Sequence, residues 1–129
     1  MNWNITAGRP VYVQLIEQLE LAIVTGEYPP GSRIPAVREL AAEAGVNPNT
    51  MQRALQDLES RGLLQSQRTS GRIVSANQDT LHTLRVQRAE VYVADFLRQM
   101  HKLGYTQEET LELLQKATFP TVSNTKEES

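Results

Sequence analysis

The sequence predicts a mostly helical α+β fold. Apolar residues recur at helical spacing in several separate segments, and glycine or proline ends most of them. Two short runs of β-compatible residues, separated by a Ser-Gly turn, predict a hairpin. The 129 residues leave room for one ordinary domain, or for a small domain with a helical appendage.

The first helix is predicted over residues 10–25. Its apolar residues recur three and four positions apart, which places them on one face. Pro10 suits a first-turn position, and Gly26 suits a C-terminal cap. Residues 27–35 contain prolines and a glycine in close succession, so they are predicted to form a turn-rich connector. The apolar face consists of Tyr12, Leu15, Ile16, Leu19, Ala22 and Ile23.

Two helices joined by a glycine are predicted next, and they carry the most informative pattern. The first covers residues 37–44, after which Gly45 turns the chain because glycine takes a positive φ at low cost. Asn47 is placed to cap the second helix, and Pro48 suits its first position. A short helix, a turn and a second helix with a polar outer face are typical of a helix-turn-helix. The inward residues are Val37, Leu40, Ala41, Val46, Met51, Ala54, Leu55 and Leu58, and the outward ones are Asn49, Thr50, Gln52, Arg53 and Gln56.

A β-hairpin is predicted after Gly62. The runs Leu63–Gln67 and Arg72–Ala76 are β-compatible, and residues 68–71 between them favour a tight loop. Helices followed by such a hairpin make a winged helix. The first predicted domain is therefore a winged helix-turn-helix over residues 1–76.

A separate helical unit is predicted over residues 77–119. Its first helix, residues 80–103, is apolar on more than one side, and its second helix opens at a Thr106–Glu109 capping box. Residues 120–129 are polar and are predicted to form a disordered tail. The residues expected to face inward are Val86, Ala89, Val93, Phe96, Leu97, Met100 and Leu103 on the first helix, with Leu113, Leu114 and Ala117 on the second.

Short motifs follow one another through residues 9–75 without large gaps. They comprise Pro10-x-Tyr12-x-Gln14-Leu15, Gly26, Pro30-Gly31-x-Arg33-Ile34-Pro35, Val37-Arg38-Glu39-Leu40-Ala41, Gly45-Val46-Asn47-x-Asn49-Thr50-Met51-x-Arg53-Ala54-Leu55, Leu58-Glu59-x-x-Gly62-Leu63 and Gly71. In these motifs the chain resembles the GntR family of bacterial transcription regulators, and specifically its short YtrA-type branch. Residues 77–117 match that branch by size more than by motif, and they resemble its two-helix dimerisation unit.

The resemblance implies a sequence-specific DNA-binding regulator, and in particular a repressor, that binds an inverted-repeat operator as a homodimer. It also implies a cytoplasmic, nucleoid-associated bacterial protein, and the N-terminus lacks the basic and apolar blocks of a signal peptide. Ala36 stands where the family usually has a capping serine, which costs about 0.5–2 kcal/mol of helix stability. Pro48 and Gln52 replace polar or arginine side chains of some relatives, so a different base preference is expected.

The candidate DNA-binding residues lie on the second helix of the helix-turn-helix, on the helix before it and in the wing. The start of the second helix enters the major groove in such proteins, where Asn and Gln can bond adenine and Arg can bond guanine. A solvated helix face is the alternative interpretation of these polar residues. For Arg38, whose DNA contact the resemblance implies, the alternative is an ion pair with Glu39 or Glu43. The predicted set is Arg38, Asn47, Asn49, Thr50, Gln52, Arg53, Arg68, Thr69, Ser70, Gly71 and Arg72.

The overall charge does not argue against a nucleic-acid partner. The formal net charge is −2, but residues 32–76 hold six arginines against four acidic residues. Global charge does not exclude local phosphate binding, and the positive balance coincides with the motif.

No catalytic or cofactor-binding pattern is present in the sequence, so neither an enzyme nor a cofactor is predicted. The absence of cysteine excludes disulfides and thiolate metal sites. His82 and His101 are too far apart for a recognised metal motif and are interpreted as surface or partly buried residues. No run approaches ~18 consecutive apolar residues, so no membrane partner is expected.

A second copy of the chain is expected because one small winged helix makes too few base contacts to find a single genomic site. Two copies related by a two-fold axis read an inverted repeat. Leu84 and Val91 lie off the inward line and are predicted to meet the partner's equivalent helix, the alternative being packing within their own chain. A winged-helix protein-interaction module without specific DNA binding is the alternative function. A small-molecule effector is a further candidate partner, although no set of residues identifies its site.

Overall fold

The structure is a computed structural model, and it describes residues 1–68 and 71–119. The observed elements confirm the predicted α+β fold. No helix formed by these residues has the length and apolar character that a membrane span needs. Along the chain the elements are α1 (Val11–Val24), α2 (Val37–Ala44), α3 (Pro48–Ser60), β1 (Leu64–Gln67), β2 (Gly71–Val74), α4 (Gln78–Lys102) and α5 (Gln107–Lys116).

Internal contacts divide the chain into two compact units, Met1–Val86 and Gln87–Ser129, called here the first unit and the second unit. This division lies beyond the boundary predicted after Ala76. The physical reason is that Ala76 and Leu81 are both buried in the apolar core of the first unit. The first turns of α4 therefore pack as part of the first unit.

The core of the first unit is formed by α1, α2 and α3, each of which contributes the apolar face that its sequence spacing predicts. Because one face of α3 is fully used by this core, its opposite face is the one left exposed. The N-terminal arm, which the sequence analysis did not assign, also packs here through Met1, Trp3 and Ile5. The most deeply buried core residues of the three helices are Leu15, Leu19, Leu40, Met51, Ala54, Leu55 and Leu58.

The ends of α2 and α3 confirm the predicted turn. Gly45 takes a φ of 71°, a conformation that glycine adopts without steric cost. The Asn47 side chain accepts a hydrogen bond from the backbone N–H of Asn49 at 2.7 Å, and Pro48 occupies the first helical position. In contrast, Ala36 at the start of α2 provides no side-chain cap.

The predicted β-hairpin is confirmed. β1 and β2 pair antiparallel in a register that places Gln67 opposite Gly71. The connector before α2 also pairs with this hairpin, since the backbone N–H of Ile34 donates to the carbonyl of Arg72 at 3.0 Å. The sequence analysis predicted only turns there. This pairing ties the wing to the segment that leads into α2.

The second unit holds the rest of α4 together with α5. The predicted capping box at the start of α5 is confirmed, with Thr106 Oγ1 accepting from the backbone N–H of Glu109 at 3.1 Å. The reciprocal bond runs from the backbone N–H of Thr106 to Glu109 Oε1 at 2.9 Å. α5 ends at Lys116, and the tail predicted over residues 120–129 lies outside the described part of the chain.

The apolar residues of the second unit remain exposed in the single chain. Thr110 is the buried residue of α5, and the predicted inward line of α4 is wrong for one chain, because Val93 is 56% and Leu103 72% exposed. A pair of helices has too little surface to cover its own apolar sides. The exposed large apolar residues are Val91, Tyr92, Val93, Phe96, Leu97, Leu103, Tyr105, Leu111, Leu113, Leu114 and Phe119.

Candidate nucleic-acid interface

The outer face of α3 carries four of the predicted base-reading residues. Asn49 and Arg53 are exposed, while Thr50 and Gln52 are half-buried beside them. The buried stripe on the opposite side of α3 fixes which way these side chains point. The capped N-terminus of α3 therefore presents amide, hydroxyl and guanidinium groups to solvent, which are the groups that can hydrogen-bond base edges.

The Arg53 side chain stacks on an aromatic ring from another helix. Its guanidinium carbon lies 4.5 Å from the centroid of the Tyr12 ring, and Tyr12 belongs to α1. The sequence pattern places Tyr12 on the apolar face of α1 and gives no sign of its contact with Arg53. A geometry of this kind is a cation–π contact, so the guanidinium is held in place while it stays exposed.

Arg38 lies exposed on α2. The alternative interpretation was an ion pair with Glu39 or Glu43, and neither pair forms among the described residues. Glu43 instead accepts a hydrogen bond from Trp3 Nε1 at 3.4 Å. The charge of Arg38 is consequently not neutralised by these two carboxylates.

The wing is described on both sides of its tip. Arg68 follows β1 and is exposed, and Gly71 opens β2 with a φ of 77°, which explains why a glycine occupies this turn position. The predictions for Thr69 and Ser70 concern residues outside the described ranges. Arg68 and Gly71, the described residues nearest the tip, are thus both exposed to solvent.

Arg72 occupies a different environment from the one predicted for a DNA contact. Its side chain is only 13% exposed, and its Nε donates to Glu59 Oε1 at 3.1 Å. The hydroxyl of Ser66 on β1 donates to the other oxygen of the same carboxylate. We call Glu59, Ser66 and Arg72 the wing anchor, because these residues join both strands of the wing to the last turn of α3.

The wing anchor shifts the titration of its carboxyl group. Partial burial acts to raise the pKa of Glu59, but the hydrogen bonds from Ser66 and Arg72 and the charge of Arg72 outweigh it. The pKa of Glu59 is therefore lower than that of an ordinary glutamate. The anchor is accordingly an ion pair at neutral pH.

Arg61 at the end of α3 forms ion pairs within the first unit. Its Nε lies 2.8 Å from Asp57 Oδ2, and its Nη1 lies 3.5 Å from Glu20 Oε2 on α1. These contacts link the end of α3 to α1. The structure therefore gives Arg61 a structural role.

The two residues predicted for the dimer interface have different surroundings. Leu84 is partly buried against the core of the first unit, as the alternative interpretation held. Val91, in contrast, is 61% exposed. An apolar groove of about 470 Å³ lies within the second unit, and it is lined by Tyr92, Val93, Phe96, Leu97, Gln107, Thr110, Leu111 and Leu114.

The partners that organise these side chains could not be identified from the sequence. Glu59 belongs to a family motif, Ser66 to a predicted strand and Tyr12 to the apolar face of the first helix, and no pattern in the sequence connects them with Arg72 or Arg53. In the sequence, each of these three residues is a single polar or aromatic position within a regular pattern, and this does not reveal its partner. Which of them meet depends on the register of the hairpin and on how α1 crosses α3.

A capped helix with a polar outer face, packed on two other helices and followed by a β-hairpin, defines a winged helix-turn-helix protein. The family described as "Bacterial regulatory proteins, gntR family" matches residues 11–74. The chain belongs to the GntR family and is a transcriptional regulator of that family.

Two curated relatives from Bacillus subtilis (strain 168) illustrate the similarity. The uncharacterized HTH-type transcriptional regulator YhcF is 32% identical over 87% of this chain and 93% of its own length. The HTH-type transcriptional repressor YtrA is 38% identical over 57% of each chain, which agrees with the branch that the sequence resembles. Both relatives are named as transcriptional regulators.

Solved structures extend the comparison to the fold. A GntR family transcriptional regulator from Listeria monocytogenes has a TM-score of 0.76 and 30% identity, covering 88% of this chain and 99% of that one. The DNA-binding domain of AraR, solved in complex with operator ORE1, has a TM-score of 0.50 and 32% identity. It covers 57% of this chain and 93% of the AraR domain.

Proposed function

We propose that this protein represses transcription by binding an inverted-repeat operator as a homodimer, in the cytoplasm at the bacterial nucleoid. The observation that carries the proposal is the exposed polar face of α3, whose opposite face is buried in the core of the first unit. Support comes from AraR, whose related domain is solved with its operator, and from YtrA and NagR, which are named as repressors.

The proposal gives α3 the role of reading bases. Asn49 and Arg53 are exposed near the capped end of α3, where major-groove contacts are made in helix-turn-helix proteins. Thr50 and Gln52 lie between them along α3 and add further polar contacts. The side-chain oxygen of Asn47 accepts the capping hydrogen bond, and its two amide N–H donors are left for DNA.

Contacts with the phosphate backbone of DNA are assigned to groups on α2 and in the wing. Arg38 on α2 is exposed and unpaired with its neighbouring carboxylates, which suits a phosphate contact. In the wing, Arg68 and the exposed backbone of Gly71 take the same role, and the DNA contacts of Thr69 and Ser70 stay predictions. We assign Arg72 to holding the wing rather than to touching DNA, because its guanidinium is bonded to Glu59.

The second unit is assigned to dimerisation, with a second copy of this chain as the occupant of its apolar surface. Its apolar side chains stay exposed on α4 and α5, and the groove between them is lined almost wholly by apolar residues. Clustered apolar side chains that stay exposed are typical of an interaction surface, and burying them drives association. Val91 is retained in the proposed interface, while Leu84 is used within its own chain. An effector remains a prediction to which no residue is assigned.

Selection of bound sequences from a random duplex pool tests this proposal directly. We expect a two-fold symmetric motif with affinity that falls steeply between about 50 and 200 mM salt, because bound arginines release counterions. No enrichment, or an affinity unaffected by salt, contradicts DNA reading and favours a protein-interaction module. An enriched motif without symmetry contradicts the homodimer alone.

A further inference from the structure

We propose that Tyr12 is a positioning residue for Arg53, and that their stack sets base preference at one position in each half of the operator. The inference rests on the proposed function, because it requires α3 to enter the major groove. It concerns a residue on α1 that the helix-turn-helix pattern itself does not include.

The stack joins two different helices. The guanidinium carbon of Arg53 lies 4.5 Å from the centroid of the Tyr12 ring, inside the range of about 6 Å over which a cation is attracted to a ring face. Tyr12 is half-buried and packs against the core of the first unit. The ring is therefore a fixed platform, and the guanidinium takes its orientation from it.

The stack leaves the hydrogen-bonding edge of Arg53 available. A guanidinium carries its N–H donors in its plane, so a ring against one face obstructs none of them. No carboxylate among the described residues forms an ion pair with Arg53, whereas Arg61 and Arg72 are both paired with acidic side chains. Of these three arginines, Arg53 is thus the one whose orientation is fixed without using its donors.

The position of Arg53 on α3 directs this edge toward the reading end of the helix. Side chains on a helix lean toward its N-terminus, which places the head of Arg53 over the turn that carries exposed Asn49. Guanine presents two acceptors in the major groove, and a planar guanidinium edge matches both at once. Ordering this long side chain before binding lowers the entropy lost on contact with the base.

The consequence concerns discrimination between bases more than general affinity. A loose Arg53 still attracts phosphates and can bond other acceptors nearby, but it loses the fixed bidentate geometry. We therefore expect Tyr12→Leu to reduce the preference for guanine at the Arg53 position roughly two- to thirty-fold, the range that corresponds to a cation–π contact. Tyr12→Phe keeps the ring face and is expected to keep the preference.

The test is selection from a random duplex pool, followed by affinity measurements on single-base variants of the selected operator. The proteins compared are the full-length wild type, Tyr12→Leu, Tyr12→Phe, Arg53→Gln and the double variant Tyr12→Leu/Arg53→Gln. Tyr28→Leu is a matched control, because Tyr28 is also a partly buried tyrosine packed against the same core. Melting temperatures show whether each variant is folded.

The expected result is that Tyr12→Leu and Arg53→Gln lose preference at the same symmetric pair of positions, and that the double variant loses no more than Arg53→Gln. Tyr28→Leu should leave the base preference unchanged. The inference is overturned if Tyr12→Leu weakens all sequences alike, changes other positions, or adds its effect to that of Arg53→Gln. If the wild type selects no motif, the proposed function fails and this inference fails with it.

A second measurement does not depend on the stability of Tyr12→Leu. In the wild type, the ring current of Tyr12 should shift the NMR signals of the Arg53 δ-methylene protons upfield. We expect that shift to persist when the selected operator is bound. Loss of the shift on binding means that Arg53 leaves the ring to reach DNA, which contradicts a positioning role.

Discussion

The first unit closes its own apolar core, and the second unit does not. In the first unit, leucines from α1, α2 and α3 are almost completely buried, and arginines such as Arg61 and Arg72 pair with carboxylates of the same unit. In the second unit, leucines of similar sequence spacing remain about half exposed. The difference indicates that one unit is built to fold by itself, and that the other is built to be covered.

The largest expected effect comes from a pair of matched leucine truncations. Leu55 is 0% exposed in the first unit, and Leu111 is 50% exposed in the second. Leu55→Ala should lower the free energy of unfolding by about 2–5 kcal/mol, since it removes buried methyl groups and leaves a cavity. Leu111→Ala should cost less than about 1 kcal/mol at protein concentrations low enough to populate monomers. Urea denaturation measures both, and equal losses contradict the contrast between the units.

The second effect concerns association. Val91→Asp places a carboxylate on the surface that we assign to the partner, and burying an unpaired charge is costly. The dimer dissociation constant should therefore rise at least about tenfold, which corresponds to about 1.4 kcal/mol. Sedimentation velocity measures the change. Val11→Asp is the control, because Val11 is an exposed valine of the first unit. An equal rise of the dissociation constant in both variants contradicts the assignment of the interface to the second unit.

The third effect concerns how much the hydrogen bonds and the ion pair of the wing anchor stabilise the first unit. Above pH 6, Glu59→Gln should cost about 1–2 kcal/mol, as expected for charge-assisted hydrogen bonds at a partly exposed site. Since the pKa of Glu59 is lower in the folded chain than in the unfolded one, its contribution is complete above the unfolded pKa. That contribution is lost as pH falls from the ordinary carboxyl range through the lowered folded value.

Wild type and Glu59→Gln should therefore converge in stability as the solution is acidified. Urea denaturation at a series of pH values shows this convergence. A stability difference that stays constant down to low pH contradicts the ion pair as its source. Gln65→Glu, at an exposed position of β1, is a control for general charge effects on the wing.

The smallest expected effect concerns helix capping, where the contrast between the units is reversed. α5 in the second unit has a complete capping box, whereas Ala36 gives α2 of the first unit no side-chain cap. Ala36→Ser should raise the free energy of unfolding by about 0.5–1 kcal/mol, by accepting from free N–H groups. The melting temperature reports the gain, and an unchanged or lower value means that serine does not take the capping rotamer there.

Local features of this fold could be predicted from the sequence, and long-range pairings could not. Gly45, Asn47 and the Thr106–Glu109 box act through neighbouring residues, so their spacing in the chain defines their role. The wing anchor joins residues 13 positions apart through the register of a hairpin, which spacing alone does not give. Similarly, the contact of Tyr12 with Arg53 depends on how two helices cross.

In the candidate site, too, the features fixed by a single helix were predictable, and those that depend on packing between elements were not. The outward direction of Asn49 and Arg53 was predictable, because the buried stripe of α3 fixes it. The inward position of Arg72 was not, since an arginine beside a wing tip is equally compatible with a phosphate contact. Leu84 and Val91 looked alike in the pattern, and only the packing of the first turns of α4 separates them.

In the proposed dimer, the exposed surface of the second unit joins two copies so that two α3 helices read one operator. Affinity for the selected operator, compared with a duplex in which one half is scrambled, tests this arrangement most directly. Scrambling one half should weaken wild-type binding at least about 100-fold, given that each mismatched base pair costs about 1–3 kcal/mol. Equal affinity for both duplexes contradicts this arrangement, because it means that a single winged helix supplies the whole recognition.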